Sequence, residues 1–292
     1  MRRVLKEKVI FITGASSGIG RETALQCARE GMRVVVAARR ETRLREVVDE
    51  IEAMGEQALA VRCDVGEDAP VKAAIEQTMQ RFGRLDAVYA NAGYGIFGQV
   101  DQTPEDAHRQ IFEVNYFGTI RTINFALPHL RATRDGLKHI LICSSAASEI
   151  GLPMFGPYSA TKAAQDSIAG AMRAELRDQG IHVTSIHPVG TKTEFFAVAG
   201  DRSQEDALQH NAPDFFTQTA AHVARRIVAA LRSPRAEVWP SFLSRLGLAG
   251  ATALPELTAW VMKRHVRQLR RERDAAQRPS EAKPAIAEPA NK

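Results

Sequence analysis

Residues 9–20 read VIFITGASSGIG, and this stretch decides the fold. The apolar run from Val9 to Thr13 has the length of a buried strand and passes straight into a turn with glycines at 14, 18 and 20. A helical pattern then continues to Glu30 and stops at Gly31. Strand, glycine turn and helix in this order build an anion site. Glycine permits the tight turn and close backbone approach, while the free N–H groups at the helix start face a phosphate. A glycine triplet alone is a weak signal, but this one has its strand and helix. Gly14, Ser16, Ser17, Gly18, Ile19 and Gly20 are the expected lining of a bound diphosphate.

Working outward, the same alternation repeats. Strand candidates at 33–38, 58–63, 87–90, 139–143, 182–187 and 236–239 are separated by helical patterns, among them 41–54, 104–131 and 220–231. The spacing predicts an α/β, Rossmann-like, doubly wound parallel sheet of seven strands with helices on both faces, plus a helical C-terminal extension. The second strand ends at Ala38, where many NAD sites carry a ribose-binding carboxylate, and is followed here by Arg39 and Arg40. One reading is that both cations are simply solvated. The other is that two cations ahead of a helix N-terminus oppose its dipole unless an anion sits there, and a ribose 2′-phosphate is such an anion. The expected cofactor is therefore NADP(H) in preference to NAD(H).

A second stretch, residues 144–162, reads SSAASEIGLPMFGPYSATK. It follows an apolar strand candidate, crosses a Gly/Pro loop and enters a helical pattern at Tyr158. Lys162 stands one turn later, so its ammonium shares a helical face with the phenol. A nearby cation and a helix start both favour a phenolate, which makes Tyr158 a credible general acid or base. Ser145 could donate a hydrogen bond to a carbonyl oxygen at the same point. A Tyr–Lys pair at this spacing is more often a surface contact; the three together suit carbonyl chemistry.

Ser145 with Tyr158-Ser-Ala-Thr-Lys162, and the T-G-x-x-x-G-x-G spacing of residues 13–20, resemble the short-chain dehydrogenase/reductase family over residues 1 to about 240. The resemblance implies an oxidoreductase interconverting a carbonyl and a secondary alcohol, with Asn115, Ser145, Tyr158 and Lys162 as its catalytic set. It implies that Asp64 and Val65 line the adenine, where the residues alone also allow a helix N-cap. Asn91-Ala92-Gly93 resembles the family's motif closing the central strand against the cofactor; by itself it reads as a turn. Asn115, on one face with Ile111, Val114 and Gly118, fits the V-N-x-x-G pattern, in which the asparagine stabilises a water linking the catalytic lysine to solvent. The family usually has Pro-Gly where this chain has Pro188-Val189-Gly190. Pro188, Val189 and Thr193 are expected near the nicotinamide and diphosphate. Small residues along the Tyr158 helix permit close helix packing, and the resemblance implies a homodimer or homotetramer through this helix and the Asn115 helix.

The chain has 292 residues, 45% hydrophobic and 25% charged, enough for one large domain with an appendage. Cys27, Cys63 and Cys143 lack metal-ligand spacing and read as reduced core residues, no metal site is expected, and a cytoplasmic location follows. The charge excess of residues 260–278 accounts for the whole net charge of +5, so the main domain gives no argument for nucleic-acid binding. The expected organisation is 1–240 for the cofactor-binding and catalytic domain, with a substrate loop at 194–218; 241–274 for a basic amphipathic extension; and 275–292 for a disordered tail. In the loop, Phe195, Phe196, Phe215 and Phe216 suggest apolar walls and a hydrophobic substrate. In the extension, Met262, Val266 and Leu269 form one stripe and Lys263, Arg267 and Arg270 the next. Residues 256–274 could therefore lie peripherally on the inner face of an anionic membrane, or cover the cleft or a partner subunit.

Two other functions compete. The first is a catalytically weak nucleotide-binding sensor or membrane-associated scaffold of the same fold, against which all four catalytic positions are occupied. The second is a Ser-Lys hydrolase using Ser145, which lacks a G-x-S-x-G elbow and leaves the glycine turn unexplained.

Overall fold

A computed structural model of the protein describes residues 2–195, 199 and 217–276. Its strands are β1 (Val9–Thr13), β2 (Arg33–Ala38), β3 (Ala58–Arg62), β4 (Ala87–Ala90), β5 (His139–Cys143), β6 (His182–Ile186), β7 (Thr191–Lys192), β8 (Gln218–Thr219) and β9 (Glu237–Val238). The helices are α1 (Gly18–Arg29), α2 (Glu41–Glu52), α3 (Asp68–Phe82), α4 (Glu105–Phe112), α5 (Gly118–Ala132), α6 (Gly156–Glu175), α7 (Ala220–Arg232), α8 (Phe242–Ala253) and α9 (Pro255–Ala276). Seven strands form one sheet in the order β3-β2-β1-β4-β5-β6-β9, with every pairing parallel.

Helices cover both faces, which is why the strands are apolar throughout rather than alternating. Along β1 the side chains divide by pleat. Ile10 and Ile12 join the core with Ala24 and Leu25 of α1 and Val223 and Ile227 of α7. Val9 and Phe11 join the opposite core with Ile75 of α3 and Ile123 and Leu130 of α5. The strand order reverses between β1 and β4, so the crevice at their carboxyl ends is where a ligand fits this topology.

Two local features depart from the sequence expectation. The helix expected over 104–131 is divided by a π-turn at Glu113–Phe117, centred on Asn115. The segment after β6 forms a two-residue parallel ladder, Thr191 with Gln218 and Lys192 with Thr219, too short to leave a periodic signal. Pro255 opens α9, where its missing N–H costs nothing. Helix α8 is capped by Ser241, whose Oγ accepts from the N–H of Ser244.

No described helix is long and apolar enough to cross a membrane. Phe196, Phe215 and Phe216 of the expected substrate loop, and the tail from residue 277 onward, lie outside the described residues.

Candidate active site

The glycine turn leaves β1 with Gly14 at φ +66° and Gly18 at φ +57°, in the left-handed region. A Cβ on Gly20 would stand 2.5 Å from the Gly14 carbonyl oxygen and 2.6 Å from Asn91 Nδ2. Asn91 is held inward: its Nδ2 donates to the Thr13 carbonyl at 2.9 Å, while Thr13 Oγ1 accepts from the N–H groups of Asn91 at 3.0 Å and Ala92 at 3.1 Å. Asn91 and Ala92 thus lock the ends of β1 and β4 together. Ser17 occupies the N-cap of α1 without making a side-chain cap bond, so the first-turn amides are left facing the crevice. Thr193 packs against Gly18, 3.2 Å from where a Cβ would lie, and brings the chain after β6 to the same turn.

The two arginines separate. Arg40 folds over the glycine turn, donating to Ser16 Oγ at 3.1 Å and Ser17 Oγ at 2.7 Å and pairing with Glu194 at 2.9 Å. Arg39 instead lies 3.7 Å from Asp64. Asp64 Oδ1 accepts from the N–H of Gly66 at 3.0 Å, and α3 begins only at Asp68, so Asp64 is a turn residue and not a helix cap. Val65 is buried against Gly118. Pro188 presents its carbonyl to the N–H of Ala146 at 3.0 Å, and Val189 is partly buried beside Gly190.

Ser145, at the carboxyl end of β5, and Tyr158, in the first turn of α6, bring their hydroxyls to the same point, close enough for Ser145 to lower the phenol pKa. Ser145 Oγ also accepts from the N–H of Ala147 at 3.1 Å. Lys162 is buried below them, its Nζ donating to the Cys143 carbonyl at 2.7 Å and to Gln165 Oε1 at 2.8 Å. Nζ also lies 5.5 Å from the centre of the Tyr158 ring. Asn115 is fully buried. Its Oδ1 accepts from the N–H of Tyr94 at 3.0 Å, and its Nδ2 donates to the Tyr94 carbonyl at 2.9 Å and to Thr161 Oγ1 at 3.0 Å. The π-turn directs the Asn115 carbonyl at α6, where Gln165 Nε2 donates to it at 2.8 Å. Lys162 and Asn115 are thereby joined through the Gln165 amide.

Burial pushes the Tyr158 phenol above its ordinary pKa, against the lowering effect of Ser145. Burial also lowers the Lys162 ammonium, with Cys143 acting the other way. The acidified phenol anticipated from the Tyr–Lys spacing is thus corrected. Lys162 directs its hydrogen bonds at a carbonyl and an amide, and desolvation dominates the phenol.

Around Tyr158 the walls are apolar. Phe155 stands 5.8 Å and Phe195 5.2 Å from its ring, and Phe97 meets Phe155 edge-on at 4.3 Å. Tyr94, Ile96 and Ile111 form a neighbouring cluster that Tyr158 also joins. Of these residues only Phe195 belongs to the loop expected to make the pocket. Residues 94–97 and 155 carry no polar signature to single them out, and only the tertiary fold brings them together. Gln165 was equally missed, although an amide at i+3 from Lys162 on an otherwise small-residue helix was a readable signal. The three cysteines are buried and unpaired, and burial pushes the Cys63 thiol up to about 12. Among the described residues no group of three His, Cys, Asp or Glu side chains could hold a metal ion.

A doubly wound parallel sheet with a glycine cradle at its switch point, and a Ser–Tyr–Lys group at the neighbouring strand end, defines a nucleotide-binding oxidoreductase. The residues present fit a dinucleotide, since added Cβ atoms would fill the cradle and the amides of α1 open into it. A family model described as short chain dehydrogenase matches residues 8–204. The chain is 34% identical over 206 residues to an uncharacterised oxidoreductase of Listeria monocytogenes, covering 70% of this chain and 82% of that protein. It is 33% identical to 11-beta-hydroxysteroid dehydrogenase A of Arachis hypogaea, covering 88% and 74%. Among solved structures, a short chain dehydrogenase/reductase from Burkholderia phymatum in complex with NAD superposes with a TM-score of 0.75 at 25% identity, covering 88% of this chain and 96% of that one. The chain belongs to the short-chain dehydrogenase/reductase family.

Proposed function

We propose that the protein is an NADP(H)-dependent oxidoreductase that interconverts a carbonyl and a secondary alcohol on a hydrophobic substrate. The observation carrying this reading is the Ser145–Tyr158 hydroxyl pair, with the buried Lys162 ammonium below it and the glycine cradle alongside. When bound, the cofactor supplies or accepts the hydride. Ser145 donates a hydrogen bond to the substrate oxygen and stabilises the charge that develops there. Tyr158 gives that oxygen its proton in reduction and removes it in oxidation. Lys162 orients the cofactor ribose. Asn115 holds Lys162 through Gln165 and braces the Tyr94 backbone.

Preference for NADP(H) rests on Arg40, the cation lying over Ser16 and Ser17. Arg39, Asp64 and Val65 border the adenosine end, and Pro188, Val189 and Thr193 the nicotinamide end. The aromatic wall around Tyr158 and the steroid dehydrogenase named above both support an apolar substrate. A homo-oligomer is supported by the outward stripe of Ala160, Ala163, Ser167 and Gly170 on α6, beside the exposed Phe117. A reducing, cytoplasmic setting suits the free cysteines. Peripheral contact with an anionic membrane is supported by Phe242, Leu243, Leu246, Leu257 and Trp260, exposed on α8 and α9 next to Lys263, Arg264 and Arg267.

The test is consumption of NADPH and NADH over a panel of ketones and aldehydes. Turnover with NADPH on apolar ketones supports the reading; cofactor binding with no turnover on any member replaces it with the sensor or scaffold. Co-sedimentation with anionic vesicles, lost when residues 256–292 are removed, supports the membrane contact, and equal sedimentation of both forms refutes it.

A further inference from the structure

A buried imidazole stands directly behind the serine turn and takes no part in the roles above. His187 follows β6, is fully buried, and stacks on Trp239 with ring centroids 4.4 Å apart and planes 8° from parallel. Its Nδ1 lies 3.3 Å from the main-chain oxygen of Ser145 and 3.4 Å from Ser148 Oγ. The Ser145 carbonyl and the Asp166 carboxylate only accept, so the ring holds both by donating from both nitrogens. On the other side of the ring, Nε2 lies 3.0 Å from Ser185 Oγ and 3.3 Å from Asp166 Oδ1. Glu149 approaches Nδ1 at 3.9 Å.

One ring therefore joins the turn that carries Ser145, the strand β6, and helix α6, on which Asp166 sits one turn beyond Lys162. Trp239 is itself fixed, its Nε1 donating to Glu237 at 2.8 Å, and Glu237 pairs with Arg245 of α8 at 3.2 Å. The Ser145 carbonyl also accepts from the N–H of Ser148 at 3.0 Å and from Ser148 Oγ at 2.7 Å. A histidine that merely filled the core would need one partner. This one spans the two segments whose relative placement sets the distance between the Ser145 and Tyr158 hydroxyls.

We propose that His187 is a positioning residue for the reaction: it ties the Ser145 peptide to the helix bearing Tyr158 and Lys162, with Asp166 as the anchor on that helix. The inference rests on Ser145 and Tyr158 acting as described under Proposed function. A hydroxyl displaced by a fraction of an ångström loses much of its effect on a developing oxyanion, so the consequence appears in turnover and not in cofactor binding.

The test compares His187→Asn, whose amide puts a donor near the Nδ1 position, with His187→Gln, whose amide reaches the Nε2 position. The expected result is a fall in kcat of about tenfold for His187→Gln, at least about threefold more than for His187→Asn, with KM for NADPH held within about twofold and similar losses of Tm in both. Asp166→Asn, at a partly exposed site that tolerates the change, is expected to lower kcat about threefold with KM unchanged. Equal kcat for the two His187 variants would overturn the proposal. If neither His187 variant folds, wild-type kcat for Asp166→Asn would overturn it. Ser145→Ala is run in parallel. Wild-type turnover by Ser145→Ala defeats the catalytic reading itself, whereas an inactive Ser145→Ala beside a fully active His187→Gln defeats only the role of His187.

Discussion

Replacing Gln165 with leucine removes a buried amide that bonds three partners: Lys162 Nζ at 2.8 Å, the Asn115 carbonyl at 2.8 Å and Thr119 Oγ1 at 2.7 Å. The three losses are unequal. The Asn115 carbonyl still accepts from Thr119 Oγ1 at 2.8 Å, so neither of those groups is orphaned. Lys162 keeps only the Cys143 carbonyl, and a charge-assisted bond inside the core contributes about 1.5–3 kcal/mol. Leucine recovers some of this by its own burial, leaving a net loss of about 2 kcal/mol, or a drop in Tm of about 4–8 °C for a domain of this size. An ammonium that has lost one of two anchors also shifts beneath Tyr158, and kcat is expected to fall about tenfold with little change in KM for NADPH. Thermal unfolding followed by circular dichroism, together with steady-state kinetics, measures both. A Gln165→Leu protein with unchanged Tm and unchanged kcat would refute the argument that this amide couples Lys162 to the π-turn.

Arg40→Ala is expected to lower kcat/KM for NADPH about tenfold while leaving NADH within about threefold, since only the 2′-phosphate loses its cation; parallel losses with both cofactors would contradict the assignment. Gly20→Ala places a Cβ 2.5 Å from the Gly14 carbonyl oxygen, and fluorescence titration should show NADPH binding weakened at least about tenfold. The raised phenol pKa has a sign that kinetics can read: reduction needs the protonated form, which stays populated, while oxidation needs the phenolate. Reduction should therefore be level between about pH 6 and about pH 9 while oxidation climbs across the same range, and a reduction rate falling from about pH 7 would count against it.

How much of this was legible from residues alone varies with the range of the interactions. The β1–turn–α1 unit and the seven strands were readable because each rests on a contiguous apolar run with glycine or proline punctuation. Tyr158 and Lys162 were readable because one helical turn places them together. The two arginines were not distinguishable: adjacent residues on an extended segment point apart, so Arg40 covers the glycine turn while Arg39 turns to Asp64. The π-turn at Asn115 depends on bonds to Gln165, fifty residues away, and local periodicity has no view of it. His187 looked like the end of a strand, and its partners come from four separate segments. The aromatic wall was assigned to the 194–218 loop because phenylalanines cluster there, yet Phe97 and Phe155 reach Tyr158 from elsewhere.

In the proposed reaction Tyr158 is the proton donor beside a nicotinamide held by the glycine turn. Rapid mixing of NADPH-loaded Tyr158→Phe with a ketone that the wild type reduces tests it most directly, with NADPH affinity measured on the same sample. The expected result is unchanged affinity and a rate of NADPH oxidation lower by about a thousandfold, the scale of a lost general acid. Oxidation at the wild-type rate, with affinity intact, would contradict it.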